Sequence, residues 1–152
     1  MEELDLHDKL FHNMEESNSI FSNIIVLKLE IDGILKSKVC REKIRELIRN
    51  YPKLSMIVEN MQWKKVDVDI NSHLIEMNQD NESINNIINE LINKSFNECM
   101  PKWVVYNIIC TPGKRSLIIM KMHHSYGDGD KCTEMLCSIG DVEKQPSKAE
   151  TS

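Results

Sequence analysis

No stretch of the sequence is apolar for the length needed to cross a bilayer. The N-terminus, Met1-Glu2-Glu3-Leu4-Asp5, is acidic and so is not a secretory signal. Lys and Arg form no cluster, and the formal net charge is −5. Both facts argue against nucleic acid as the main partner, since phosphate binding needs a basic face. The cysteines (Cys40, Cys99, Cys110, Cys132 and Cys137) are odd in number and form no C-x-x-C pair. Without an export signal they read as free thiols in a reducing compartment. There is no G-x-S-x-G, which removes the usual hydrolase elbow, and no internal repeat.

What is present is the composition of a folded domain. The chain has 152 residues, 41% hydrophobic and 28% charged, enough for one domain with a real core. Residues 2 to 16 mix Leu4, Leu6, Leu10, Phe11 and Met14 with charges, as either a helix or an irregular arm would; His7 and His12 read as solvated there. Residues 20 to 31 form a strand: Ile24-Ile25-Val26-Leu27 is rich in β-branched side chains, and Leu27, Leu29 and Ile31 alternate with Lys28 and Glu30. Asp32-Gly33 supplies the turn.

Cys40, Ile44, Leu47, Ile48 and Tyr51 repeat at helical spacing, with Ser37 as N-cap and Pro52 after the end. Arg41, Lys43, Arg45 and Glu46 fall on the solvated side. Leu54 to Val58 suits a short extended piece. Val66-Asp67-Val68-Asp69-Ile70 alternates strictly and predicts a half-exposed strand, with Asp67 and Asp69 as solvated carboxylates. His73 reads as a hydrogen-bonded structural histidine. Ile84, Ile87, Ile88, Leu91 and Ile92 make the clearest helical stripe, with Ser83 at its start.

Trp103-Val104-Val105-Tyr106-Asn107-Ile108-Ile109 is the next strand. Thr111-Pro112-Gly113-Lys114-Arg115 has hairpin-turn chemistry, so Ser116 to Met122 returns as the antiparallel partner. That partner delivers His123-His124-Ser125-Tyr126-Gly127-Asp128-Gly129, followed by an amphipathic run with Met135, Leu136 and Ile139. The expected organisation is an arm over 1–19, a lobe over 20–140 and a disordered tail over 141–152, which has almost nothing to bury. The fold class is α/β: an antiparallel or mixed sheet with helices on one side, a two-layer sandwich.

The histidine loop carries the chemistry. A neutral imidazole is a base near neutral pH, and one held against a hydroxyl takes its proton as the oxygen attacks a carbonyl. One histidine can enter a cleft while its neighbour anchors the backbone. Asp128 can tie the loop down by pairing with a basic residue, and Gly127 and Gly129 allow close approaches. A metal site built from the pair with Cys132 and Cys137 is set aside, because the spacing is not that of zinc ligands and adjacent histidines seldom converge on one ion.

His-His-x-x-x-Asp-Gly resembles the signature of the CoA-dependent acyltransferases and of the condensation domains of peptide synthetases. Three further segments narrow the likeness to the wax ester synthase/diacylglycerol acyltransferase family. Pro101-Lys102-Trp103 is similar to its "P-L-W" segment, Trp63 with Asp67-Val68-Asp69-Ile70 and His73 to its Trp…D-F-D…H stretch, and Tyr51-Pro52-Lys53-Leu54 to its "h-P-r-L" segment. Lys102 stands where the family usually has Leu, and Val104 where it has an acidic residue.

The resemblance implies one lobe of a chloramphenicol-acetyltransferase-like fold. It makes His124 the general base that deprotonates a long-chain alcohol or diacylglycerol for attack on acyl-CoA. His123 is implied as support, Asp128 as a structural residue pairing with an arginine, Gly129 as room at the tunnel, and Pro101 and Trp103 as substrate contacts; Trp103 reads equally well as a core aromatic. Acyl-CoA is implied as co-substrate, with no resident cofactor and no metal. The expected location is cytoplasmic, or peripheral at the endoplasmic reticulum or plasma membrane. Family members have a second lobe, which the resemblance implies as a partner. The other expectation is a non-catalytic lobe that binds acyl chains or a full-length homologue.

Overall fold

Two apolar runs on either side of residues 112–114 form the middle of the sheet, because both of their faces find cover. They are β5 (Trp103–Thr111) and β6 (Arg115–His123), paired antiparallel from Trp103 opposite Met122 to Cys110 opposite Arg115. A computed structural model describes residues 23–111 and 115–151, with side chains to Gly140. The expectations for the arm, for His7 and His12, and for the turn at 112–114 fall outside the described residues.

β1 (Ile24–Asp32) flanks β6 antiparallel, with Ile24 opposite His123. β4 (Leu74–Asp80) lies parallel to β5, giving the order β1-β6-β5-β4 in a mixed sheet. β2 (Met56–Glu59) and β3 (Gln62–Lys65) form a separate hairpin turned by Asn60 and Met61, both at positive φ. A 3₁₀ turn, Pro52–Ser55, leads into it. The helices are α1 (Ser37–Asn50), the single turn α2 (Ile70–His73), α3 (Ile84–Asn93) and α4 (Gly129–Thr151). No helix among the described residues is long and apolar enough to cross a membrane.

Strand alternation sorts the core into two clusters. On one face Ile25, Leu27, Trp103, Val105, Met120 and Met122 meet Ile44 and Leu47 of α1 and Met135, Leu136 and Ile139 of α4. On the other, Val26, Val104, Tyr106, Ile108 and Ile119 meet Ile84 and Ile88 of α3. The expected sheet and helix layer are present, but the helices are not confined to one side: α3 covers the second face, because its isoleucine stripe needs an apolar partner and both faces of β5 and β6 are apolar. The backbone of Leu35 crosses between Ser116, whose Oγ accepts its N–H at 2.7 Å, and Asn107, whose Nδ2 donates to its carbonyl at 3.0 Å.

Four local expectations change. Val66-Asp67-Val68-Asp69 is not a strand. Asp69 accepts the Asn71 N–H at 3.0 Å and starts α2 at Ile70, a local side-chain bond competing with a ladder. The strand lies after His73, as β4. Ser37 is not the N-cap of α1; Lys36 holds that position, and the Ser37 hydroxyl donates to Glu76 at 2.8 Å. Ser83 occupies the N-cap of α3 without a side-chain cap, its N–H going to Asp80 at 2.8 Å. The stretch 141–152, expected to be disordered, is helical to Thr151 as a continuation of α4 past Pro146; Glu143, Lys144, Gln145, Ala149 and Glu150 are helix formers, and extending an existing helix avoids the cost of a new nucleus.

Candidate active site

The two histidines leave β6 with their backbones clamped from both sides. The His123 N–H donates to Lys102 O at 2.9 Å, and the His124 N–H donates to Asn23 O at 2.7 Å. The chain then tightens into a 3₁₀ turn, His124–Tyr126, closed by the Gly127 N–H on His124 O at 3.2 Å. Tyr126 fastens this turn to the β2–β3 hairpin. It is buried, its hydroxyl donates to Met56 O at 2.7 Å, and its ring meets Trp63 edge-on at 5.1 Å.

The two imidazoles differ. His123 is half-buried, and its Nδ1 accepts the Ser125 N–H at 3.1 Å, with the Ser125 hydroxyl at 2.7 Å. An Nδ1 that accepts a backbone N–H leaves the proton on Nε2, so neutral His123 presents a donor. Burial, then the charges of Lys102 and His124, hold its pKa below the ordinary imidazole value. His124 is exposed, and its ring makes no hydrogen bond among the described residues. His123 lines a cavity on the α3 side of the sheet, and His124 does not.

Asp128 does not pair with an arginine. Its Oδ1 accepts the Lys131 N–H at 2.8 Å and caps α4. The reason is position: Asp128 immediately precedes the helix, whose first N–H groups need acceptors. Gly129 is buried at the start of α4, its carbonyl accepting from Thr133 Oγ1 at 2.8 Å. Gly127 is required sterically, since a Cβ there would lie 2.9 Å from Lys131 Cγ and 3.1 Å from Lys131 Cβ. Gly127→Val is therefore expected to push the first turn of α4 away and to cost about 1–3 kcal/mol, seen as a lower urea midpoint.

Pro101 and Trp103 are buried, and Trp103 belongs to the first core cluster, the core-aromatic alternative for that residue. The Pro101 carbonyl accepts the Trp103 N–H at 3.0 Å. Trp103 Nε1 donates to Leu54 O at 2.9 Å, and the Trp103 ring stacks on His73 at 4.4 Å. His73 Nδ1 donates in turn to Trp103 O at 2.7 Å, the structural role expected of it. Cys132 is fully buried on the inner side of α4, with its thiol pushed up to about 12 by burial.

Burial is also the main cause that depresses the pKa of His73, as it is for His123. A histidine depressed on folding binds fewer protons in the native state than in the unfolded chain. Stability is then intact above about pH 6.5 and is lost as pH falls from there through the folded pKa values. The urea midpoint is expected to drop between pH 7.5 and 5, and His73→Gln should flatten part of that drop. An unchanged pH profile in that variant would contradict the assignment.

The signals that sequence reasoning missed are Tyr126 as an anchor and Lys121, a lone cation inside the apolar run Leu117 to Met122 that is 3% exposed. That interruption of an otherwise buried strand was visible in the sequence.

No protein-family model and no curated protein matches the chain. Solved structures do. The starter condensation domain of rhizomide synthetase matches 95% of this chain at TM-score 0.68 and 11% identity. A condensation domain of the enacyloxin polyketide synthase matches 93% at 0.64 and 12%. The X-domain in complex with OxyB from teicoplanin biosynthesis matches 79% at 0.65 and 13%. The chain spans 38%, 29% and 27% of those three chains, about a third of their length. A variant of the rhizomide domain, also similar, was solved with C8-CoA. The chain thus has the fold of one lobe of the chloramphenicol-acetyltransferase-like architecture that condensation domains share.

Proposed function

We propose that this chain is the histidine-bearing lobe of an acyl-CoA-dependent O-acyltransferase with His124 as general base. The observation that carries the proposal is the asymmetry of the pair. His123 spends Nδ1 on Ser125 and keeps its proton on Nε2, while the exposed His124 ring keeps its nitrogens free of hydrogen bonds among the described residues. His124 takes the proton of an acceptor hydroxyl as that oxygen attacks the acyl thioester, and the thiolate of CoA leaves. The acceptor is a long-chain alcohol or a diacylglycerol, as the wax ester synthase-like segments imply. The C8-CoA held by a structural neighbour favours an acyl thioester as donor. The role of Asp128, Tyr126 and Gly127 is to fix the loop that carries His124.

Incubation of the chain with octanoyl-CoA and hexadecanol or diacylglycerol in mixed micelles, with the ester detected by mass spectrometry, tests the proposal. Ester formation supports it; acyl-CoA consumption that yields only free acid contradicts the transfer step. A second reading, a lobe that binds acyl chains or a full-length homologue without turnover, is favoured by one observation. Among the described residues His124 has no orienting hydrogen bond of the kind catalytic bases usually have. Saturable acyl-CoA binding without ester formation would select it.

A further inference from the structure

A cavity of about 210 Å³ lies on the α3 side of the sheet, backed by His123. It is smaller than the roughly 300–1,000 Å³ of sites for drug-sized ligands, so it suits a small molecule. One wall is apolar, made by Ile24, Ile92 and Phe96. The rest is polar and largely cationic: Lys94, Lys102 and Lys121 line it with Asn93 and Ser95, and Glu98 is the single carboxylate among the described lining residues. Glu98 is already engaged, 3.2 Å from Lys102 Nζ.

Two donors at this cavity are unspent. Lys121 Nζ donates to Leu91 O at 3.0 Å and to Lys94 O, and it lies 4.8 Å from the centre of the Phe96 ring. An ammonium has three N–H groups, and the third meets no oxygen acceptor among the described residues, only the face of Phe96. The His123 Nε2–H likewise has none. A buried cation with a spare donor, beside a second ammonium whose charge opposes it, is relieved by an anion.

We propose that this cavity binds a small organic carboxylate, its oxygens meeting Lys121 Nζ and His123 Nε2 and its apolar body lying on Phe96 and Ile92. A carboxylate is favoured over a phosphate by the backbone around the cavity. Phosphate sites draw on several N–H groups of a helix N-terminus or a nest. Here it is the C-terminal end of α3 that meets the cavity, and its carbonyls, which oppose any anion, oppose a phosphate dianion more than a carboxylate monoanion. Three lysines and a histidine can hold a monoanion without those amides. The apolar wall gives a short alkyl or aryl body a place that inorganic anions cannot use. His124 does not line this cavity, and the proposal does not depend on acyl transfer by the chain.

The His123 Cε1–H resonance, followed by NMR through a pH titration, provides the test. Hexanoate, inorganic phosphate and sodium chloride are compared at one ionic strength. Hexanoate is expected to raise the His123 pKa saturably, because a bound carboxylate stabilises the imidazolium against Lys102 and His124. Lys102→Met and the exposed Lys94→Gln are expected to weaken hexanoate by about tenfold. Lys121→Met should abolish binding if it folds, and the two milder variants decide the matter if it does not. A His123 that responds equally to chloride, binds phosphate more tightly than hexanoate, or is indifferent to both lysine variants would overturn the proposal.

Discussion

Replacing His124 by alanine is expected to lower acyl transfer by about 10²- to 10⁴-fold while shifting the unfolding free energy by no more than about 0.5 kcal/mol. The two effects separate because the His124 ring is exposed and makes no hydrogen bond among the described residues. What holds the loop is its backbone and its neighbours. The His124 N–H still reaches Asn23 O, and Tyr126 still reaches Met56 O, when the imidazole is gone. His123→Ala should behave differently. It removes the acceptor of the Ser125 N–H, so it loosens the turn and moves both stability and activity. A His124→Ala chain that forms ester at the parental rate would remove His124 as the base. Equal losses of stability in the two variants would show that the loop is held by both rings.

The largest stability loss is expected at Trp103, not in the loop. Trp103→Ala should cost about 3–5 kcal/mol. Its ring is 1% exposed in the middle of the first core cluster, between the sheet, the Leu54 turn and His73. The loss combines a cavity with two polar consequences: Leu54 O loses the Nε1 donor at 2.9 Å, and His73 loses the ring on which it stacks. Trp103→Phe isolates the hydrogen bond, because it keeps an aromatic ring and leaves the Leu54 carbonyl without that donor. About 1–3 kcal/mol is expected there. Urea titration should show both as a lower midpoint at an unchanged slope. A Trp103→Ala chain within about 1 kcal/mol of the parent would mean that the ring is not a core residue.

Stability and site meet at the end of β6. His123 is the last residue of β6, paired to Ile24 of β1 and donating its N–H to Lys102 O just before β5, and His124 is one residue beyond. The proposed general base is therefore exposed in its side chain and held through its backbone. Trp103 lies opposite Met122 in the register, so the ring that anchors β5 also holds the strand that presents the pair.

Much of this was legible in local pattern. Ile24 to Ile31, a β-branched-rich run that passes into alternation from Leu27, is a strand. Cys40, Ile44 and Leu47 repeat at helical spacing and are buried in α1. The hairpin of β5 and β6 followed from two β-branched runs flanking a Pro-Gly turn, and the motif loop came with it. Each of these signals spans a few residues and is decided by near neighbours. The misread stretch, Val66 to Ile70, alternates as well as β1 does, but Asp69 finds a local backbone donor and Val68 and Ile70 pack on the first core cluster. Five alternating residues are a weak periodic signal, and a single capping bond outweighs it.

The sequence by itself determined the central strands, the two main amphipathic helices and the order of chemical groups in the histidine loop, because periodicity and turn chemistry are local. Tertiary structure alone decided which face each helix covers, the parallel pairing of β4 with β5, and the opposite fates of two adjacent histidines. It also decided that a lysine in an apolar strand ends on the carbonyls of Leu91 and Lys94, at the end of α3. Those outcomes depend on groups brought together from separate parts of the chain, where hydrogen-bond partners and desolvation are set by the fold and not by neighbours in sequence.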